Sequence, residues 1–194
     1  MVIIIMSDLL ASEIDRGGTI RILLTKPIRK SEIVLGKFLS GITAIAVIFG
    51  VPYLIMQVYM VLLYKSGFEG GFRTTFDDLL FATGITLLVL GSLGAVSMLL
   101  SVILSRPLYA SLASFGLVFT AQFILPQLPF FDDPERFNLS YQIGVLLKKG
   151  FTLNTGLDSY KGDPGMSALF FLSVILVSLI LTLLGGLYRK EYEG

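Results

Sequence analysis

The sequence contains no cysteine and no histidine, and only 15% of its 194 residues are charged. Without those two residue types the chain lacks the ligands of zinc sites built on them, of haem held by His or Cys and of iron–sulfur clusters. Disulfides and the Ser-His-Asp and Cys-His nucleophile systems are excluded for the same reason. A net charge of +1 gives no overall basic field for nucleic acid. These absences point away from enzymes and from nucleic-acid binding.

Hydrophobic residues make up 54% of the chain, and the mean hydropathy is +0.82. A soluble domain has about 25% charged residues, so this chain has too few charges to cover a surface exposed to water. A membrane-spanning helix needs about 20 mostly apolar residues. Four windows satisfy this requirement, at about residues 38–63, 79–104, 108–125 and 166–187. We therefore predict an all-α polytopic membrane helix bundle with four full transmembrane spans.

The windows divide the chain into three parts. Residues 1–37 are predicted to hold the end of a span followed by a cytoplasmic segment, residues 38–187 the transmembrane domain, and residues 188–194 a cytoplasmic tail. Nine basic residues fall on the side that holds both termini, and six fall on the opposite side. Because basic residues concentrate in cytoplasmic loops, we expect a multi-pass protein of the cell membrane with both termini in the cytoplasm.

The outer loop at residues 126–165 is too long to be a plain connector. Within it, Ile143, Leu146 and Leu147 occur at helical spacing. Two interpretations follow: a short amphipathic helix on the outer face of the membrane, or a solvated loop with a few apolar contacts.

The four windows contain no Asp, Glu, Lys, Arg or His, whereas ion pumps and proton-coupled carriers need such groups at depth. Gln57 and Gln122 are the candidates for a transport path, although a glutamine at depth more commonly bonds to a neighbouring helix. The second window is rich in small residues, which let another helix approach closely. We expect this window to lie at a helix interface, either within the chain or with a second copy. The small residues are Gly84, Gly91, Ser92, Gly94, Ala95, Ser97 and Ser101.

The segment before the first window contains a short amphipathic stretch. Ile20, Leu23 and Leu24 lie at i, i+3 and i+4 and form one apolar stripe, while Arg21 and Thr25 face away. A helix this short is marginal in water by itself, so it needs a surface to pack on. The membrane interface and a groove in a cytoplasmic partner both suit it.

Five sequence elements follow one another in this segment: an acidic pair, a Gly-Thr, a double Leu, a Pro with a nearby basic residue, and a Gly-Lys. By position they are Glu13 and Asp15, Gly18 and Thr19, Leu23 and Leu24, Pro27 and Arg29, and Gly36 and Lys37. Their order and spacing resemble the signature of ABC transporter permeases of the type-2 exporter family, where it lies between the second and third spans.

The resemblance implies that this segment is a coupling helix, which docks in a groove of a separate ABC ATPase subunit. It further implies a permease that works as a homo- or heterodimer of permease chains with two ATPase subunits. ATP would be bound by the partner, so this chain would have no catalytic residue, cofactor or metal of its own. Such permeases usually have six spans, so we expect the first span to be absent here and the second to be reduced to about residues 1–10.

Two other functions compete with ATP-driven export. A non-transporting membrane scaffold or assembly protein would lay its N-terminal helix on lipid. A membrane-embedded enzyme is disfavoured, because windows without histidine, cysteine or a carboxylate offer little acid–base chemistry.

Overall fold

A computed structural model of the chain describes residues 1–8, 30–63, 71–104, 106–127, 138–150, 160 and 162–188. These residues are almost entirely helical and contain no β-strand, which confirms the all-α prediction. Their α-helices are α1 (residues 2–8), α2 (Lys30–Leu63), α3 (Gly71–Leu104), α4 (Pro107–Phe119), α5 (Leu139–Gly150) and α6 (Pro164–Tyr188).

Four helical stretches among the described residues are long and apolar enough to cross a membrane. They are Glu32–Met56, Leu79–Leu104, Pro107–Ile124 and Pro164–Gly185. The prediction of a polytopic bundle with four spans is therefore confirmed. The first stretch begins earlier than its uncharged window, because α2 starts at Lys30 and carries Glu32 in its first turn, where a carboxylate favours the helix dipole.

The helix α3 lies at the centre of the bundle and packs against α2, α4, α5 and α6. Half of its apolar stretch is buried, compared with 11–17% of the other three. Small residues make this possible: the Cδ1 atom of Ile42 in α2 lies only 2.9 Å from where a Cβ on Gly91 would stand, and Ile175 of α6 lies 3.8 Å from the same point. The expected helix interface is therefore present, and its partners are helices of the same chain.

A tight turn at Arg106 joins α3 to α4. The backbone N–H of Arg106 donates to the Leu104 carbonyl over 2.7 Å, and Pro107 occupies the first position of α4, where its missing N–H is not needed. At its other end α4 continues as a π-helical turn, Thr120–Ile124, and a 3-10 turn, Leu125–Gln127. The bundle thus has a turn end, at Arg106, and an opposite α5 end, where α5 lies.

The stretch with two open interpretations forms a helix, α5. Its apolar residues Ile143, Leu146 and Leu147 pack with Ile85 of α3 and Phe171 of α6. A 12-residue helix is marginal in isolation, so burial of this face against α3 and α6 stabilises it. The bundle, rather than lipid alone, thus supplies the surface that α5 packs on.

Large apolar side chains cover the outside of the bundle. Ile55 of α2, Leu112 of α4 and Leu176 of α6 are 60–65% exposed. A water-soluble monomer does not leave contiguous apolar surfaces of this kind open. Because these residues lie on the helices that are long enough to cross a membrane, we interpret them as the lipid-facing surface.

Candidate functional site

The predicted ATPase-docking residues fall mostly outside the described residues. This applies to Glu13, Asp15, Gly18, Thr19, Leu23, Leu24, Pro27 and Arg29. Lys37 lies within α2 and is partly exposed, and a Cβ on the neighbouring Gly36 would meet no atom within 4 Å. The predicted docking residues up to Arg29 lie in residues 9–29, the predicted docking segment. The two helices that flank it are both described, since α1 ends at residue 8 and α2 begins at Lys30.

The first of these helices, α1, is seated against α3. Met6 has no exposed surface, and Val2 and Ser7 are buried as well. The Cγ and Cε atoms of Met6 lie 3.0 Å from the place that a Cβ on Gly94 would occupy. The absence of a side chain at Gly94 therefore allows α1 to approach the α3 backbone closely.

Two serine hydroxyls of α3 bond to the backbone of α1. The Ser97 Oγ donates to the carbonyl oxygen of Ile3, and the Ser101 Oγ donates to that of Ser7, both over 2.9 Å. Donors and acceptors are each four residues apart and increase in the same order, so α1 and α3 run parallel. Hydrogen bonds between membrane helices average about 0.6 kcal/mol and reach about 1–2 kcal/mol.

The second flanking helix, α2, enters the same core. Phe38 and Ile45 of α2 form one buried cluster with Met6 of α1 and with Ala95 and Met98 of α3. The helices on either side of the predicted docking segment therefore converge on one stretch of α3.

The two glutamines considered for a transport path lie in different surroundings. Gln57 is part of α2, and its side chain lies outside the described residues. Gln122 lies in the π-helical turn after α4, where its Nε2 donates to the Ser140 Oγ over 2.5 Å and its Oε1 accepts from the Ser140 backbone N–H over 3.2 Å. Gln122 thus bonds to the beginning of α5, while a role of either glutamine in transport stays a prediction.

The chain just before α6 is held on α5 by close contacts. The Tyr160 ring covers Gly144, with ring carbons 2.6–2.8 Å from where a Cβ would stand, and it meets the Tyr141 ring edge-on at 5.4 Å between centroids. The Lys148 Nζ also donates to the Tyr160 carbonyl oxygen over 3.2 Å. Gly162 lies against Val145 in the same way. These contacts connect α5 to the start of α6.

A family model described as ABC-2 family transporter protein matches residues 1–184. The chain belongs to the ABC-2 transporter family. No curated protein matches it. As an ABC-2 permease it is a multi-pass membrane protein, and the kind of partner that suits such a membrane subunit is an ABC ATPase. The family resemblance inferred from the docking segment is confirmed by this match over most of the chain.

Sequence reasoning missed two helix caps of this ABC-2 permease. The Asn138 Oδ1 accepts from the Ser140 backbone N–H over 2.9 Å at the start of α5, and the Asp163 Oδ1 accepts from the Gly165 N–H over 3.1 Å at the start of α6. Both residue types are preferred helix N-caps, and Pro164 follows Asp163 at the first helical position. Asn138, which together with Leu139 and Ser140 also fits a glycosylation sequon, is therefore the N-cap of α5.

The described part of this ABC-2 permease holds no group of three or more Asp, Glu, His or Cys side chains that a metal ion would need. Its buried polar side chains are instead hydroxyls. Within the described residues, every buried side-chain nitrogen or oxygen has a hydrogen-bond partner. The polar contacts that join separate helices there include the Ser97 and Ser101 bonds to α1 and the Gln122 bonds to α5.

Proposed function

We propose that this ABC-2 permease is the membrane subunit of an ATP-driven exporter, coupled to a separate ABC ATPase through the segment around Leu23 and Leu24. The observation that carries the proposal is the family match over residues 1–184. The order of the acidic pair, Gly-Thr, double Leu and Gly-Lys elements supports the assignment of the segment. ATP is bound and hydrolysed by the partner subunit.

The arrangement of α1, α2 and α3 suits such a role. Closure of the ATPase subunits on ATP displaces the docked segment, and the two flanking helices pass this displacement to α3. Because α3 packs against α2, α4, α5 and α6, its movement reaches the other spans. ATP shifts the equilibrium between inward-open and outward-open states only as far as the contacts of the two states differ in free energy.

The working assembly in this proposal is a pair of permease chains, as a homo- or heterodimer, with two ATPase subunits in the cell membrane. Both termini and the turn end face the cytoplasm, where the ATPase subunits are. The exposed apolar residues of α2, α4 and α6 contact lipid or the second permease chain.

Co-purification from native membranes tests the docking assignment. The full chain carries an affinity tag, and captured ABC ATPase is quantified by mass spectrometry. We expect Leu23→Asp and Leu24→Asp each to reduce capture at least about tenfold, because an unpaired carboxylate in an apolar groove is costly. Thr25→Asp is the matched control, since it adds the same charge on the opposite face of the stripe.

Unchanged capture by both leucine variants would overturn the docking assignment. A wild-type chain that captures no ABC ATPase would contradict the exporter proposal as a whole. In that case the alternative is a membrane scaffold whose N-terminal segment lies on lipid, and the chain would bring no ATP hydrolysis to the membrane.

A further inference from the structure

We infer that Ser97 and Ser101 are positioning residues, which lock α1 to α3 in one register and thereby transmit movement of residues 9–29 into the centre of the bundle. The inference rests on the proposed function and assigns its mechanical link to two named side chains. Both serines of α3 donate their hydroxyl hydrogen to another helix.

Three other buried hydroxyls among the described residues bond within their own helix. Ser92 of α3 donates to the Val89 carbonyl, Ser114 of α4 to that of Ala110, and Thr182 of α6 to that of Ser178. Such a back-bond to the preceding turn is the ordinary way in which Ser and Thr satisfy their hydroxyl inside a helix.

Ser97 and Ser101 instead donate to carbonyls of another helix, across a sequence separation of 94 residues in both cases. The equal separation means that the two bonds are in register. A helix rises about 1.5 Å per residue. An axial slip of α1 by a single residue therefore breaks both bonds at once.

The contact between the two helices is dry and close. Ser97, Ser101 and Met6 have no exposed surface, and Gly94 lets the Met6 side chain lie against the α3 backbone. Water therefore does not reach the two hydroxyls to replace their bonds to α1. The contact resists sliding as well as separation, because hydrogen bonds are directional while apolar packing is not.

The position of α1 in the chain connects α3 to residues 9–29. Residues 9–29 connect α1 to α2, and both helices share a buried cluster with α3. Contacts of α2 with α3 include apolar packing of Ile42 on Gly91. The contact between α1 and α3 adds two directional hydrogen bonds. When residues 9–29 are displaced, α1 therefore moves with them and shifts α3 along the axis of α3.

Hydrogen–deuterium exchange of the full complex in lipid nanodiscs tests the inference without a covalently attached probe. The permease is assembled with its captured ABC ATPase, and amide exchange of α5 and α6 is compared with and without ATP and vanadate. We expect wild type to show a nucleotide-dependent change in these helices. The Ser97→Ala/Ser101→Ala variant is expected to capture the ATPase at the wild-type level and to lose at least half of that change.

Two further variants separate positioning from general loosening. Ser92→Ala is the matched control, because it removes a buried hydroxyl of the same helix that bonds only within that helix. It is expected to keep the full nucleotide-dependent change. The Met6→Cys/Gly94→Cys pair, oxidised in the double-alanine background, joins α1 to α3 covalently and is expected to restore the change until the disulfide is reduced.

The results separate the positioning role of Ser97 and Ser101 from the proposed function. A full change in Ser97→Ala/Ser101→Ala, or an equal loss in Ser92→Ala, overturns the positioning role and leaves the proposed function intact. Absence of ATPase capture or of any nucleotide-dependent change in wild type contradicts the proposed function itself. If the double variant does not assemble, Ser97→Ala and Ser101→Ala are compared singly with Ser92→Ala, and each is expected to lose part of the change.

Discussion

Gln122 and Ser140 are joined by two hydrogen bonds across the α5 end of the bundle. The Gln122 amide both donates to the Ser140 hydroxyl and accepts from the Ser140 backbone N–H. Ser140 lies in the first turn of α5, where the helix itself leaves N–H groups unpaired, and its N–H is shared between Gln122 and the N-cap residue Asn138. With the apolar face of α5 on α3 and α6, this contact connects α5 to all three spans around it.

Removal of the Gln122 amide should loosen α5. We expect Gln122→Leu to lose about 1–2 kcal/mol of local stability, because the Ser140 hydroxyl loses its partner at Gln122. Amide exchange of residues 139–150 should then become about 5- to 30-fold faster. The control is Gln127→Leu, which changes an exposed amide in the neighbouring 3-10 turn. Equal exchange rates in the two variants would show that Gln122 does not hold α5.

A methyl group at position 144 should displace Tyr160. The Cβ of Gly144→Ala would lie 2.6–2.8 Å from the tyrosine ring carbons, so the ring must move away from α5. We expect a loss of about 1–3 kcal/mol, as for other overpacked sites, measured by thermal unfolding of the purified protein. Gly84→Ala is the control: its Cβ meets no atom within 4 Å, and alanine there should raise stability through its better helix propensity.

A double substitution checks the cause of that loss. In Gly144→Ala/Tyr160→Ala the ring that clashes is gone, so the cost of the added methyl group should be much smaller than in the presence of Tyr160. If Gly144→Ala lowers the stability by the same amount with and without the Tyr160 ring, contact with the ring does not cause the loss, and the packing explanation fails.

The orientation of the bundle is open to direct labelling, because the chain has no cysteine of its own. Arg106 at the turn end and Gln127 at the α5 end are both exposed. We expect Gln127→Cys to react with a membrane-impermeant maleimide in intact cells, and Arg106→Cys to react only after permeabilisation. The physical reason is the larger number of basic residues on the side of the turn end. The opposite labelling pattern would place both termini outside the cell.

The sequence predicted those features that depend on composition and local period. Long uncharged windows identified the spans, and the small residues of α3 indicated a helix interface. At α5 the spacing of Ile143, Leu146 and Leu147 allowed a helix but did not say what would cover it. The structure places this face on Ile85 and Phe171, residues far from it in the chain. Local periodicity carries no information about such distant partners, so two interpretations remained open there.

The interhelical hydrogen bonds were beyond sequence reasoning for the same reason. A serine in a membrane helix has two ways to satisfy its hydroxyl, within its own helix or across to another, and Ser92 and Ser97 look alike in the sequence. For Gln122 the sequence allowed a place on a transport path or the commoner bond to a neighbouring helix, and it did not identify which helix. Which partner each side chain finds depends on how closely the helices approach and at what rotation.

By itself, the sequence determined that this protein is an all-α membrane bundle of the ABC-2 type without cysteine or histidine chemistry. It did so because hydropathy and motif spacing are properties of short stretches of chain. Only the tertiary structure decided that α1 lies on Gly94, Ser97 and Ser101, and that Gln122 holds α5. These contacts join residues up to 94 positions apart, and only the packing of whole helices brings them within hydrogen-bond distance.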